Sequence, residues 1–368
     1  MKTKAAVLWE LNAPWTIEEI ELDAPGPNEV LVKLAASGLC HSDEHLVTGD
    51  LPFELPIIGG HEGAGVVQQV GANVSWLAPG DHVVFGFIPS CGRCVSCSTG
   101  HQNLCDLGAF MATGKQISDQ TSRHHAGGKD VGIMCLLGTF AEHTVVHEAS
   151  CIKIEKDVPL DRACLLGCGV VTGWGSSVYA AEVAPGDTVV VVGVGGIGAN
   201  AIQGARIAGA KRIVAIDPVE FKREKAMEFG ATHTVNARNT EPVAAVQAAT
   251  NGLGADVCIE AVGHPEVLRQ AFYARDLAGT VVQVGVPTPD MVMPNIPMID
   301  FFGRGGAMKP SWYGDCLPSR DFPLLVDLHL QGRLPLEDFV TETIGLSEIE
   351  QAFHRMERGE VLRSVVLL

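Results

Sequence analysis

Basic residues are scarce in this 368-residue chain: 26 lysines and arginines stand against 43 aspartates and glutamates, a formal net charge of -17 at pH 7. Neither sign forms a long run. A chain so acidic is repelled by nucleic acid and by anionic membrane surfaces, which excludes both as partners. Long apolar runs are missing as well. The opening stretch MKTKAAVLWELNAPW returns to charge and proline before a signal peptide could form, and no later segment is both long and apolar enough to span a bilayer. A cytoplasmic location is the expectation. Internal repeats and low-complexity tracts are absent, and aromatic residues make up only 6%. With 46% hydrophobic residues the composition is still that of a globular protein, long enough for about two domains.

Cysteine and glycine are plentiful, with 11 and 42 residues respectively. Up to about residue 170 the chain reads as short strands broken by glycine and proline: Ala5 to Trp9, Val30 to Ala36, Gly65 to Val70, His82 to Phe85 and Ala141 to Val146. Near residue 187 the texture changes. DTVVVVGVGGIGANAIQGARIAGA is a continuous valine strand, a glycine turn and a small-residue helix, which is one βα unit. Strands at 212–216, 255–260 and 279–284 then alternate with helices at 221–229 and 265–275, which implies a doubly wound parallel sheet. Helices over 323–331 and 347–358 and a terminal SVVLL strand complete the chain.

Gly193, Gly195 and Gly198 form G-x-G-x-x-G between that strand and that helix. The first glycine makes the tight turn, the second admits a pyrophosphate to the backbone, and the third allows close helix packing, with the helix N-terminus facing the negative charge. Asp217 ends the next strand, where a carboxylate can accept both hydroxyls of an adenosine ribose. That carboxylate repels the 2′-phosphate of NADP, and Pro218 follows it, so NAD is the expected cofactor. A ligand-free glycine turn is the competing reading.

Cys91, Cys94, Cys97 and Cys105 are spaced C-x2-C-x2-C-x7-C, enough to wrap four thiolates around one tetrahedral ion. All-cysteine coordination leaves no open position, so this zinc is expected to be structural. Disulfides are the competing reading, disfavoured by a reducing compartment and by crowding. Cys40 in GLCHSDEH, His61 in GGHEGAG and Cys168 in LLGCGVVTG are scattered in glycine-bearing turns. Spacing cannot unite them, and composition alone favours Cys168 as a small packed hydrophobe.

GHEGAGVV, the four-cysteine loop, LLGCGVVTGWGS and VVGVGGIG follow the order and intervals of one family, and over nearly its whole length the chain resembles the zinc-containing medium-chain alcohol dehydrogenases. The resemblance implies an α/β fold in two parts, a Rossmann doubly wound parallel sheet at 171–312 and an irregular β-rich, GroES-like catalytic domain split between 1–170 and 313–368. It implies a second, catalytic zinc on Cys40, His61 and Cys168. Carried over singly, Asp43 orients the zinc-bound histidine, Glu62 is an acid beside the metal, and Ser42 and His45 are the hydroxyl and imidazole of a proton relay. Thr172 lies beside the nicotinamide, and Lys222 and Arg363 contact the cofactor's ribose and pyrophosphate. An unaided lysine or arginine would default to a surface role. Phe87 and Met134 fall where the family lines its substrate pocket, with core packing the competing reading. The implied activity is hydride transfer between a primary alcohol or aldehyde, a small-molecule partner, and NAD. The apolar stretch MVMPNIPMIDFF implies a homodimer or homotetramer.

Several features depart from the pattern. TSRHHAGGK and LLGTFAEHTVV resemble the glutathione-dependent formaldehyde dehydrogenases, so oxidation of a thiol adduct of formaldehyde is an alternative reading. Yet Ala109 replaces an arginine of that group and Pro52 one of its acids, while Asp50 keeps the other. His41 stands where arginine often contacts pyrophosphate. The chain also resembles actinobacterial alcohol dehydrogenases that hold their nicotinamide tightly and recycle it with a second substrate. A non-catalytic zinc-binding protein is the rival from another class, opposed by Cys40, Ser42, His61 and Cys168.

Overall fold

The computed structural model describes residues 1–368. The chain divides into two units, Met1–Cys168 with Leu317–Leu368, and Gly169–Cys316.

In the first unit, five strands close a small barrel in the order Lys2–Leu8, Thr16–Leu22, His124–Ala126, Lys129–Ile133 and Ile57–Ile58. Beside it, a seven-stranded sheet runs Cys151–Ile154, His82–Phe85, Glu62–Val70, Glu29–Gly38, Ser364–Leu367 and Glu342–Gly345, with His143–His147 also pairing on Glu29–Gly38. The C-terminal strand is what makes this unit discontinuous. Its apolar Val365 and Val366 are wholly buried, and it pairs antiparallel with the end of Glu29–Gly38, Val365 opposite Gly38. Gly38 also faces Glu62. Register therefore sets Glu62, Gly38 and the start of the C-terminal strand side by side.

The second unit is a six-stranded parallel sheet in the order His233–Val235, Arg212–Ile216, Thr188–Val192, Ala255–Glu260, Arg275–Gln283 and Ala307–Pro310. In chain order this is 3-2-1-4-5-6, the doubly wound dinucleotide-binding arrangement. Thr188–Val192 is central, and its four valines are buried, as a strand covered on both faces requires. Helix Gly196–Ala208 buries Ala199, Ala201 and Ala205 and stops at Gly209, whose φ of 95° is left-handed. No single helix is long and apolar enough to cross a membrane.

A helix of the first unit departs from expectation. The helix expected from Pro323 begins at Pro318 and runs to Leu330 with Pro323 inside it. Pro318 takes the first-turn position, where a missing N–H costs nothing. Pro323 leaves one carbonyl a turn earlier unbonded, that of the exposed Ser319, which water can satisfy.

Candidate active site and metal centres

The four-cysteine loop contains no disulfide. Its four sulfurs lie within 4.8 Å of one another. Cys91 Sγ is 4.0 Å from Cys97 Sγ, and Cys94 Sγ is 3.9 Å from Cys105 Sγ. Four thiolates around a tetrahedral zinc stand about 3.8 Å apart, given a Zn–S bond of about 2.3 Å, so the loop fits that ion. Backbone amides already point at the sulfurs: Cys94 N donates to Cys91 Sγ at 3.3 Å and Cys97 N to Cys94 Sγ at 3.4 Å. Amide hydrogen bonds pull the Cys94 thiol down to about 7, while burial pushes Cys97 and Cys105 up. A depression of about 720 Å³ beside this loop is lined by Trp76, Cys91, Arg93 and His147, and by none of the residues expected to carry the reaction.

The scattered donors meet. Ligand atoms of Cys40, His61, Cys168 and Glu62 lie within 4.8 Å of one another. Local backbone explains each placement. Cys40 caps helix His41–Thr48. Gly60, with φ of 85°, turns the chain so that His61 faces inward at the start of strand Glu62–Val70. Gly167 brings Cys168 in; a methyl there would sit 2.6 Å from the Phe85 carbonyl oxygen and 3.6 Å from Glu62 Cα. Asp43, fully buried, accepts from Cys40 N at 2.9 Å and Gly60 N at 3.2 Å, and lies 3.0 Å from His61 Nδ1. With Nδ1 committed to Asp43, Nε2 is the nitrogen left for a metal. Two thiols and an imidazole nitrogen, oriented by a buried carboxylate, suit zinc.

The donors are crowded enough to shift one another. A hydrogen bond with Cys168 lowers Cys40 well below an ordinary thiol and raises Cys168 in turn. Burial works against charge on His61, but Asp43 holds the imidazole well above its usual range. Burial pushes Glu62 up to about 7 against the opposing pull of Arg363.

Arg363 differs from the surface cation that arginine is by default. It is buried, and its Nη2 is paired with Glu62 Oε2. The physical reason is the strand register, which brings the residue before Ser364 alongside Glu62. Its Nε is buried without a partner. Ser42 and His45 lie on helix His41–Thr48; Ser42 Oγ is 3.7 Å from Cys40 Sγ, and His45 Nδ1 is 2.9 Å from Asp50 Oδ2. Asp50 is thus engaged within its own turn. Phe87 sets its ring edge against His61 at 5.9 Å, whereas Met134 is wholly buried in an apolar cluster with Trp15 and Phe140, as core packing would have it.

In the other unit, Gly193 takes φ of 89°, and a side chain at Gly198 would run into the Gly193 carbonyl oxygen. Nothing lies within 4 Å of where a Cβ at Gly195 would stand, and Gly195 caps Gly196–Ala208 with no side-chain bond. Open space before an uncapped helix N-terminus is what a pyrophosphate needs. Asp217 is buried, its oxygens accepting from Val194 N and Val219 N, each at 2.8 Å. Thr172 Oγ1 is buried and unpartnered. Lys222 is half-buried on helix Glu220–Phe229, and its neighbour Arg223 is the cation that reaches Asp217, donating to its carbonyl oxygen at 2.8 Å. Arg223 is not among the residues expected from the sequence and carries no signal there, whereas Glu62 is expected beside the metal through the family resemblance but not as one of its donors.

Known proteins resemble this chain along its length. Residues 26–156 match the alcohol dehydrogenase GroES-like domain, and residues 196–331 the zinc-binding dehydrogenase domain. The chain is 44% identical to the NDMA-dependent alcohol dehydrogenase of Amycolatopsis methanolica, covering 100% of this chain and 99% of that one. It is 43% identical to alcohol dehydrogenase B of Mycobacterium tuberculosis, covering 100% and 98%. The benzyl alcohol dehydrogenase of Acinetobacter calcoaceticus superposes with a TM-score of 0.94 at 31% identity over 100% of this chain and 99% of that one.

Proposed function

The chain belongs to the zinc-binding alcohol dehydrogenase family, and on that premise we propose that it oxidises primary alcohols to aldehydes with NAD, using one catalytic and one structural zinc per chain. The observation that carries the reading is the convergence of Cys40, His61 and Cys168, with Asp43 behind the histidine. When bound, zinc supplies Lewis acidity that eases loss of the alcohol proton, and nicotinamide supplies the hydride acceptor.

The chain's own residues do the rest. Cys40, His61 and Cys168 hold the catalytic ion, and Glu62 stands beside them tied to Arg363, so that the fourth position is left for substrate. Asp43 keeps His61 in one tautomer. Ser42 takes the alcohol proton, a bridging hydroxyl passes it to His45, and His45, on the same helix as Ser42 and half-exposed, releases it to water. Phe87, edge-on to His61, shields the donors from solvent.

In the nucleotide-binding unit, Gly193, Gly195 and Gly198 admit the pyrophosphate, and Asp217 receives the ribose hydroxyls and rejects a 2′-phosphate. Lys222, Arg363 and Thr172 complete the cofactor contacts. Val292, Met293, Met298, Ile299 and Phe302 are exposed within one segment, which supports a homodimer or homotetramer, to be checked by light scattering.

The test is nicotinamide absorbance after ethanol or benzyl alcohol is added to purified protein with excess NAD; benzyl alcohol joins the panel because a neighbour is named for it. Turnover beyond one equivalent supports exchangeable NAD. A single stoichiometric burst supports tightly held nicotinamide, the second reading, which the NDMA-dependent relative favours. No signal with either alcohol, with turnover on a thiol adduct of formaldehyde, overturns the alcohol reading.

A further inference from the structure

His45 has a partner that no motif required. Its Nδ1 lies 2.9 Å from Asp50 Oδ2, and the same oxygen accepts from Thr48 Oγ1 at 2.7 Å. The local chain explains the meeting. Helix His41–Thr48 stops at Gly49, whose φ of 83° reverses the backbone, and Leu51 N then bonds back to the His45 carbonyl at 3.1 Å. The reversal carries Asp50 under the histidine four residues after Leu46 has turned into the core.

The hydrogen bonds from His45 and Thr48 hold the Asp50 carboxyl below its ordinary range. An ionised carboxylate only accepts, so the proton in the His45–Asp50 bond belongs to the imidazole. A neutral ring that donates through Nδ1 presents the lone pair of Nε2. The other acids nearby are committed elsewhere. Asp43 serves His61, Cys40 N and Gly60 N, and Glu44 faces Glu357 of helix Ile349–Glu357, which also carries His354. Asp50 is the carboxylate that addresses His45.

We propose that Asp50 is a positioning residue for the reaction: through Nδ1 it locks His45 in the tautomer whose Nε2 accepts the alcohol proton, and Thr48 steadies the carboxylate. This rests on the reading of His45 as the base. It also gives Asp50 a task other than anchoring a thiol cofactor.

The experiment compares wild type with Asp50→Ala, Asp50→Glu, His45→Gln and the His45→Gln/Asp50→Ala double variant, all as zinc-loaded full chains. The Gly49 reversal and the Leu51 bond do not use the Asp50 side chain, so the turn survives, and circular dichroism checks it. Asp50→Ala is expected to lower kcat about tenfold near neutral pH with KM unchanged, a share of the range typical of general base catalysis. The deficit should shrink at high pH, where hydroxide replaces the relay. Asp50→Glu should recover part of it. In the His45→Gln background the alanine change should cost nothing further. Nitrogen-15 histidine spectra should show one ring, the one missing from His45→Gln, changing from a single Nδ1–H tautomer to a mixture in Asp50→Ala. An equal loss in both backgrounds, a deficit independent of pH, or an unchanged tautomer would overturn the proposal. Wild-type rates for His45→Gln at every pH would instead overturn the assignment of His45 as base.

Discussion

The two donor clusters of the first unit gather their ligands in opposite ways. The four-cysteine loop takes all of them from residues 91–105, one stretch of chain whose own amides point at its sulfurs. The Cys40–His61–Cys168 cluster takes its donors from three separate segments and surrounds them with Asp43, Glu62 and Arg363. A closed set of four thiolates has nothing left to offer a substrate, so it can only hold the fold. An assembled set of three strong donors, with a fourth acid tied back by an arginine, keeps a position for chemistry. On the proposed function, reactivity goes with donors that chain connectivity does not bring together.

Removing one donor from each cluster tests this contrast most severely. Cys168→Ala should lower kcat/KM at least about 10³-fold, since Lewis-acid stabilisation is worth several kcal/mol, while zinc falls from two ions per chain to one and the melting temperature moves little. Turnover within tenfold of wild type would remove Cys168 from the ligand set. Cys97→Ala should also leave one zinc per chain but with the opposite signature: a marked fall in melting temperature, and activity per folded molecule near normal at low temperature. An unchanged melting curve would mean that the loop does not hold the fold.

The orienting carboxylate gives a smaller and sharper test. Asp43→Asn keeps the shape but weakens the hold on His61, and should cost about 10- to 100-fold in zinc affinity or activity. Chelator competition should show the loss for one ion only. If both ions weaken together, the clusters are not independent.

Acid is the mildest probe and needs a control, because protonation of ligands releases metal from either cluster. His124 supplies it. Burial drives this imidazole down to about 3, and its Nδ1 has no partner. Between about 6.5, the unfolded value, and about 3 the unfolded chain binds the proton that the folded chain refuses. Stability from this group is therefore complete above about pH 6.5 and is lost progressively as pH falls towards 3, by up to about 1.4 kcal/mol per unit. His124→Gln should flatten that slope in urea melts while leaving acid release of zinc unchanged. If zinc release shifts too, metal loss follows unfolding in both clusters.

How much could be read beforehand varied along the chain for physical reasons. Thr188–Val192, Arg212–Ile216 and Ala255–Glu260 are buried strands of β-branched and apolar residues, and their boundaries were legible. Thr16–Leu22 was not: TIEEIEL turns most of its acids to solvent on the barrel and lacks an apolar run. The helix from Pro318 was obscured by Pro323, which marks a break more often than an interior. At the site, the union of His61 with Cys40 and Cys168 and the role of Asp43 rested on resemblance alone, and the burial of Arg363 against Glu62 and the turn joining His45 to Asp50 were not legible at all.

The amino-acid sequence by itself determined the local devices: the cysteine loop, whose donors a few peptide links hold within reach of one ion, and the glycine turn, where φ and the lack of a side chain leave no other residue an option. Only the tertiary structure decided that Cys40, His61 and Cys168 meet, that Glu62 joins them, and that Arg363 neutralises Glu62 rather than facing water. Strand register between distant segments brings Cys40, His61, Glu62 and Arg363 together, with Gly38 opposite both Glu62 and Val365, and the close approach at Gly167 adds Cys168. Register is set by burial of whole apolar faces, a property of the sheet that no single residue carries.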